Sequence, residues 1–148
     1  MTNQNVITFG CRLTSFDSQI IKEKAKLKKL QNTFFINTCA VTKEAEKQAR
    51  QKIRKIRREN PKAKIIVTGC SAQINPKIYK NMQEVNLVLG NEEKFNFDKY
   101  LNLLNSETSE MVVNNIMSVK ETANHFINGF DKKARAFIQI QTGCDHRC

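Results

Sequence analysis

Nothing in these 148 residues reads as a leader or a membrane anchor. The opening MTNQNVITFG has no basic segment running into a long apolar one, and no later stretch approaches the run of about eighteen apolar residues that spans a bilayer. A soluble, cytoplasmic protein with no membrane partner is expected. The chain also has no C-x-x-C pair of the kind that often builds a zinc site, no internal repeat and no low-complexity tract beyond its richness in lysine. Its five cysteines are an odd number, which one chain cannot pair completely, and in a reducing compartment they stay thiols. A chain of single-domain length buries enough apolar surface to fold without disulfides. Each thiol is therefore packing filler, a metal ligand or a nucleophile.

Acidic residues are scarce in one region. Between Lys22 and Lys64 there are 15 Lys and Arg against 4 acids, a balance of +11, and the remainder holds 10 of each sign. The whole net charge of +11 thus sits in one third of the sequence. Localised positive charge attracts polyanions, of which nucleic acid is the commonest; the alternative is a well-solvated lysine-rich surface.

What is present is a set of short apolar runs. Val6 to Phe9, Phe34 to Ile36, Ile65 to Val67 and Leu87 to Leu89 read as strands. Helices are expected between them: Ser18 to Leu30, a long one capped by Thr42 and stopped by Asn60-Pro61, a short one opened by Asn75-Pro76 and running to Gln83, and Glu92 to Leu104. This alternation predicts an α/β fold, a Rossmann- or flavodoxin-like parallel sheet with flanking helices and right-handed crossovers. In such a sheet all carboxyl ends lie along one edge, where ligands bind. Cys11, Cys39 and Cys70 each follow a strand and are expected together at that edge. Residues 1–104 form the expected domain and 105–131 a linker containing one possible strand. Residues 132–148 begin a second domain, with a strand from Phe137 to Ile140 before Cys144 and Cys148.

Thiols at strand ends, beside helix N-termini, favour the thiolate that soft metals bind. Three cysteines from separate loops suit an iron-sulfur cubane with one iron left open; buried packing and zinc remain alternatives. On the long helix, Lys43, Lys47, Arg50, Arg54 and Arg57 form one stripe and Ala45, Ala49, Ile53 and Ile56 another, so the apolar stripe can pack while the basic one faces out. The basic stripe is either a solvated face, with Glu46 and Arg50 as a local pair, or a set of phosphate contacts to RNA. His125 and His146 have no convincing partners and read as surface or loop residues.

The segments TFGCRL, FINTCAVTKEAEKQARQKIRKIRRENP, KIIVTGCSAQ, LVLGNEEK and QTGCDHRC, in this order, resemble the amino-terminal domain and the entry to the radical domain of the radical S-adenosylmethionine methylthiotransferases. Arg12 and the CAVT block resemble the branch that acts on threonylcarbamoyladenosine beside the tRNA anticodon, more than those acting on isopentenyladenosine or a ribosomal protein. The resemblance implies an auxiliary 4Fe-4S cluster on Cys11, Cys39 and Cys70. It implies a second 4Fe-4S cluster, with Cys144 and Cys148 as its first two ligands, that binds S-adenosylmethionine in the full-length enzyme. The implied partners are the tRNA anticodon stem-loop, S-adenosylmethionine and an electron donor protein. Thr14 stands where the family commonly has Asn, so no role passes to it. The short Leu30 to Phe34 segment is expected to trim or distort the second strand. With the radical barrel absent from these residues, the chain is expected to be inactive alone. The rival reading is a non-catalytic flavodoxin-like module that binds RNA or a protein and keeps its cysteines for structure.

Overall fold

The strand TFFINT is buried at every residue, which only a strand covered on both faces allows. The computed structural model describes residues 5–10 and 12–115, and in it this strand, β2 (Thr33–Thr38), lies between β1 (Asn5–Thr8) and β3 (Lys64–Gly69). β4 (Leu87–Leu89) and β5 (Glu110–Val112) complete a five-stranded sheet in the order β1-β2-β3-β4-β5, parallel throughout. The helices are α1 (Arg12–Leu27), α2 (Lys43–Glu59), α3 (Cys70–Ile74) and α4 (Pro76–Lys80), with a 3-10 helix over Glu93–Asn105. This is a Rossmann-like α/β fold.

One face of the sheet carries Phe34, Ile36, Ile65, Val67 and Val88 against Ile53 and Ile56 of α2, Ala72 of α3 and Tyr79 of α4. The other carries Phe35, Ile66, Leu87 and Leu89 against Ile21 and Ala25 of α1 and Phe97 and Leu104 of the 3-10 helix. Phe35 and Phe97 meet with ring centroids 4.9 Å apart. Because the strand order is sequential while α1 and the 3-10 helix lie on the face opposite α2, α3 and α4, the first and last crossovers take one hand and the two between them the other. Uniform right-handedness would have put every helix on one face and left half of β2 and β3 uncovered, so that expectation is corrected.

α2 follows from its sequence. Thr42, in extended conformation, accepts the Ala45 N–H (3.1 Å) as N-cap, Glu44 and Glu46 stand at the positive end of the dipole, and Arg57 and Arg58 at the negative end. The cap contributes about 1 kcal/mol. α1 begins earlier than its apolar pattern suggests because Thr14, Asp17 and Ser18 are buried with polar partners. It ends in a Schellman pattern, Leu30 N–H to Ala25 O and Lys29 N–H to Lys26 O, with Lys29 at φ 50° where glycine is usual. Asn32, also at φ 50°, turns the chain within the short connection, so β2 is a full six-residue strand rather than a trimmed one.

Two further expectations change. Glu93–Asn105 is a 3-10 helix, broken by non-helical backbone at Asn96. Phe97, Tyr100 and Leu103 recur every third residue and pack on the same core, which suits three residues per turn. The one strand expected within the linker that begins at Asn105 is present as β5, but it joins the sheet, paired through Leu87–Glu110 to Leu89–Val112. The rest of the expected linker beyond Asn115, and residues 132–148, lie outside the described residues.

Candidate cluster-binding edge

The carboxyl edge of the sheet gathers the ends of β1, β2, β3 and β4. Thr8 pairs with Asn37, Asn37 with Thr68 and Thr38 with Gly69, so the first three strands finish level. Cys39 and Cys70 each stand one residue past the paired Thr38 and Gly69. Adjacent strands lie about 4.8 Å apart, so the two thiols branch from neighbouring points of one edge. Both are free thiols; Cys39 is buried and Cys70 exposed. Gly10, at φ +140°, lies directly against Cys39: a Cβ there would sit 2.9 Å from the sulfur and 2.5 Å from the Cys39 Cβ. The loop after β1 therefore comes to the Cys39 side chain. Cys11, Cys144 and Cys148 lie outside the described residues.

Each described sulfur has a donor aimed at it. The Val41 N–H donates to Cys39 Sγ (3.4 Å), and Asn91 Nδ2 faces Cys70 Sγ at 4.0 Å. Such donors suit a sulfur that carries negative charge when it binds metal. Among the described residues no three His, Cys, Asp or Glu side chains gather to hold a metal, and the edge offers two thiols, Cys39 and Cys70. Thiols on one edge, with N–H groups towards the sulfurs and a glycine backbone packed against one, fit an iron-sulfur group in ligand type.

Beneath the thiols runs a buried polar layer. Asn37 Nδ2 donates to Thr14 O (3.0 Å) and Ser18 Oγ (2.9 Å), tying the end of β2 to α1. Thr38 Oγ1 donates to Thr68 O (2.6 Å) and accepts from the Ala72 N–H (3.2 Å), tying β2 to the helix after Cys70. Ser71 Oγ donates to Glu46 Oε1 (2.7 Å), so its single proton is used and the Tyr79 hydroxyl donates to Ser71 at 2.9 Å. Glu46 thus serves Ser71. Burial pushes the Tyr79 hydroxyl above its ordinary 10.0; the Ser71 bond opposes this, Glu46 reinforces it, and Arg50 and Thr38 oppose it. Tyr79 therefore stays a protonated donor at neutral pH, and the stability it contributes is full below pH 10.0 and falls as pH rises towards its higher folded value.

The basic stripe on α2 divides. Lys43, Lys47 and Arg54 are exposed, while Arg50 and Arg57 are half-buried. Arg57 is occupied: Nη1 donates to Pro61 O (2.8 Å) and Ala63 O (2.7 Å), and Nη2 to Glu84 O (2.7 Å) and Asn86 Oδ1 (2.9 Å). It clasps the end of α2 to the approach of β3 and β4. An open groove along α2 adds Lys52, Lys55 and Arg58, interleaved with Gln48 and Gln51 and bounded by Glu84, three further basic residues that the four-and-three spacing of the first stripe concealed. Other residues missed from the sequence are Asp17, Asn91 and Lys94. Lys94 Nζ reaches Asp17 Oδ2 (2.5 Å), with both side chains buried, and Asn91 Oδ1 (3.0 Å). The available signal was a lysine and an aspartate at positions that the apolar periodicity turns inward.

Fold and site together define an α/β domain that presents thiols from adjacent parallel strand ends beside a basic helix. The family model described as "Uncharacterized protein family UPF0004" matches residues 3–90, more than half of the chain, and the chain belongs to that family, the amino-terminal domain of tRNA methylthiotransferases. It is 57% identical over 145 residues to the threonylcarbamoyladenosine tRNA methylthiotransferase of Rickettsia prowazekii, covering 98% of this chain and 34% of that protein. It is 35% identical over 155 residues to the protein of the same name from Thermotoga maritima, covering 100% of this chain and 35% of that one. To the tRNA-2-methylthio-N(6)-dimethylallyladenosine synthase of Chloroherpeton thalassium it is 30% identical over 154 residues, covering 95% of this chain and 34% of that one. The chain thus spans about a third of the length of the curated relatives it matches.

Proposed function

We propose that this chain is the cluster-binding part of a tRNA methylthiotransferase that modifies threonylcarbamoyladenosine next to the anticodon. The observation that carries the reading is the placement of Cys39 and Cys70 side by side at the ends of paired parallel strands, in a chain 57% identical to an enzyme of that name. Cys39 and Cys70, joined by Cys11, hold an auxiliary 4Fe-4S cluster. Cys144 and Cys148 supply ligands to a second one, at which S-adenosylmethionine binds in the complete enzyme. When bound, the auxiliary cluster supplies the iron and sulfide through which sulfur reaches the base. The chain's own residues hold and position it: Val41 directs its N–H at the Cys39 sulfur, and Thr38 fixes the α3 backbone beside Cys70. The protein works in the cytoplasm with an electron donor protein, and these residues alone are catalytically incomplete.

Anaerobic reconstitution of the chain carrying Cys144→Ser and Cys148→Ser tests this. About four irons per chain, with broad visible absorption lost in Cys39→Ala, are expected. A colourless, folded, metal-free protein would point to the non-catalytic module, and stoichiometric zinc after oxygen-free purification to a zinc protein.

In the same reading the exposed Lys43, Lys47 and Arg54, flanked by Arg50, contact phosphates of the anticodon stem-loop. Replacing the three exposed residues by Gln is expected to flatten the slope of log affinity against log salt by roughly 2–3, at about 0.9 for each phosphate contact. An unchanged slope in anisotropy titrations with the stem-loop RNA would remove α2 from the interface.

A further inference from the structure

We propose that Asn91 is a positioning residue that sets the reduction potential of the auxiliary cluster through the sulfur of Cys70, and that the buried Lys94–Asp17 pair holds it in place. The inference rests on the proposed ligation by Cys70. Asn91 follows β4, two strand ends from Cys39 and next to Cys70. Its backbone N–H donates to Gln73 Oε1 (2.8 Å), and Gln73 Nε2 donates to Asn114 O (2.9 Å), so its main chain is anchored to α3 and to the exit of β5. Its side chain has Lys94 Nζ at 3.0 Å on the oxygen. Lysine only donates, so the amide oxygen faces Lys94 and the NH2 end faces Cys70 Sγ at 4.0 Å. Lys94 in turn cannot swing away, because Asp17 holds it at 2.5 Å in a site where both side chains are buried.

The arrangement is a hydrogen-bonded chain in which Lys94 Nζ donates to both Asp17 Oδ2 and Asn91 Oδ1 and the Asn91 NH2 faces the sulfur, its members drawn from α1, the start of the 3-10 helix and the loop before it. Reduction adds negative charge to a cluster and its sulfurs. An N–H aimed at a ligand sulfur, with a fixed cation behind it, favours the reduced form and raises the potential. Asn91→Ala removes the donor. Asn91→Asp keeps an acceptor for Lys94, and so the local anchor, while replacing the donor with an acceptor; a purely structural role would survive it.

The test is a dithionite titration through mediator dyes, followed by visible absorption, on the reconstituted 148-residue chain carrying Cys144→Ser and Cys148→Ser. At the poise where the parent chain is half reduced, Asn91→Ala and Asn91→Asp are each expected to shift the oxidised-to-reduced ratio about fivefold towards oxidised, the weight of one hydrogen bond. Iron content should be unchanged. The double variant Asp17→Leu with Lys94→Met, which leaves no buried charge unpaired, should move the balance the same way. A normal cluster whose midpoint is unmoved in all three variants overturns the role of Asn91 alone. A parent chain that takes up no iron overturns the ligation by Cys70 and this inference with it.

Discussion

Gly69→Ala is expected to destabilise the domain by about 3–5 kcal/mol, a loss of the size reserved for strained backbone combined with a clash that cannot relax. Gly69 closes β3 at φ +100° and ψ −173°, a conformation essentially confined to glycine. A Cβ there would lie 2.2 Å from Thr38 O, 2.6 Å from Thr38 N and 2.6 Å from Asn37 Oδ1. These are backbone and fixed polar atoms of the central strand, and β2 cannot retreat without giving up its ladder with β3. Gly90 provides the comparison: its Cβ would meet Glu93 Oε2 at 2.3 Å and Gln73 Oε1 at 2.7 Å, ends of side chains rather than strand backbone, which move at the cost of their bonds to the Asn114 and Asn91 N–H groups, and its own backbone lies outside the glycine-favouring region. Gly90→Ala should therefore cost less than half as much. Urea denaturation at unchanged m value measures both, and a Gly69→Ala loss below about 1 kcal/mol would contradict the strain account. Because Cys70 is the next residue, iron uptake by Gly69→Ala should also fall where Gly90→Ala retains it.

The same glycine illustrates what the sequence discloses. VTGC could be read as a strand reaching a thiol, since Ile65, Ile66 and Val67 are apolar and Gly-Cys breaks the run. β4 matched its expected residues because Leu87 to Leu89 are bounded by Asn86 and Gly90, and α2 because Thr42 and Pro61 bracket it. Elements whose inward residues are polar were harder to see. α1 starts at Arg12 because Thr14 and Ser18 bury their polar groups on Asn37 and Thr8, partners supplied by other strands. β5 is short and half-buried, and only its pairing with β4 makes it a strand. At the site, Cys39 and Cys70 were legible because a thiol at a strand end is unusual. Asn91 and Lys94 were not, since their meaning depends on Asp17, 77 residues from Lys94 in the chain. Arg57 shows the reverse error: its spacing placed it with the exposed basic stripe, yet its guanidinium is taken by acceptors around the starts of β3 and β4.

Breaking the Lys94–Asp17 pair from one side is expected to be nearly as damaging. The side chains are only 6% and 11% exposed, and the Nζ to Oδ2 distance is 2.5 Å. Lys94→Met leaves the Asp17 carboxylate buried without its cation, and Asp17→Leu leaves the ammonium buried with the Asn91 oxygen and the Phe95 ring but no counter-charge; each should cost about 3–5 kcal/mol. The double variant removes both desolvation penalties and should lie within about 1 kcal/mol of the parent chain, so the double-mutant cycle should show strong coupling. The exposed Lys55–Glu59 pair, at 3.7 Å with side chains more than half exposed, sets the opposite limit: a helix pair of this kind contributes about 0.3–0.5 kcal/mol and weakens with salt. Salt therefore separates the cases, since a buried pair keeps its coupling at 1 M NaCl and an exposed one loses it. Single-variant losses below about 1 kcal/mol, or coupling that disappears with salt, would mean that water reaches the pair. Asp17 belongs to α1, in the crossover between β1 and β2, and Lys94 to the 3-10 helix in the crossover between β4 and β5. The pair therefore joins the first and last crossovers across one face of the sheet, which is how a contact on the far side from α2 can govern the loop that carries Asn91.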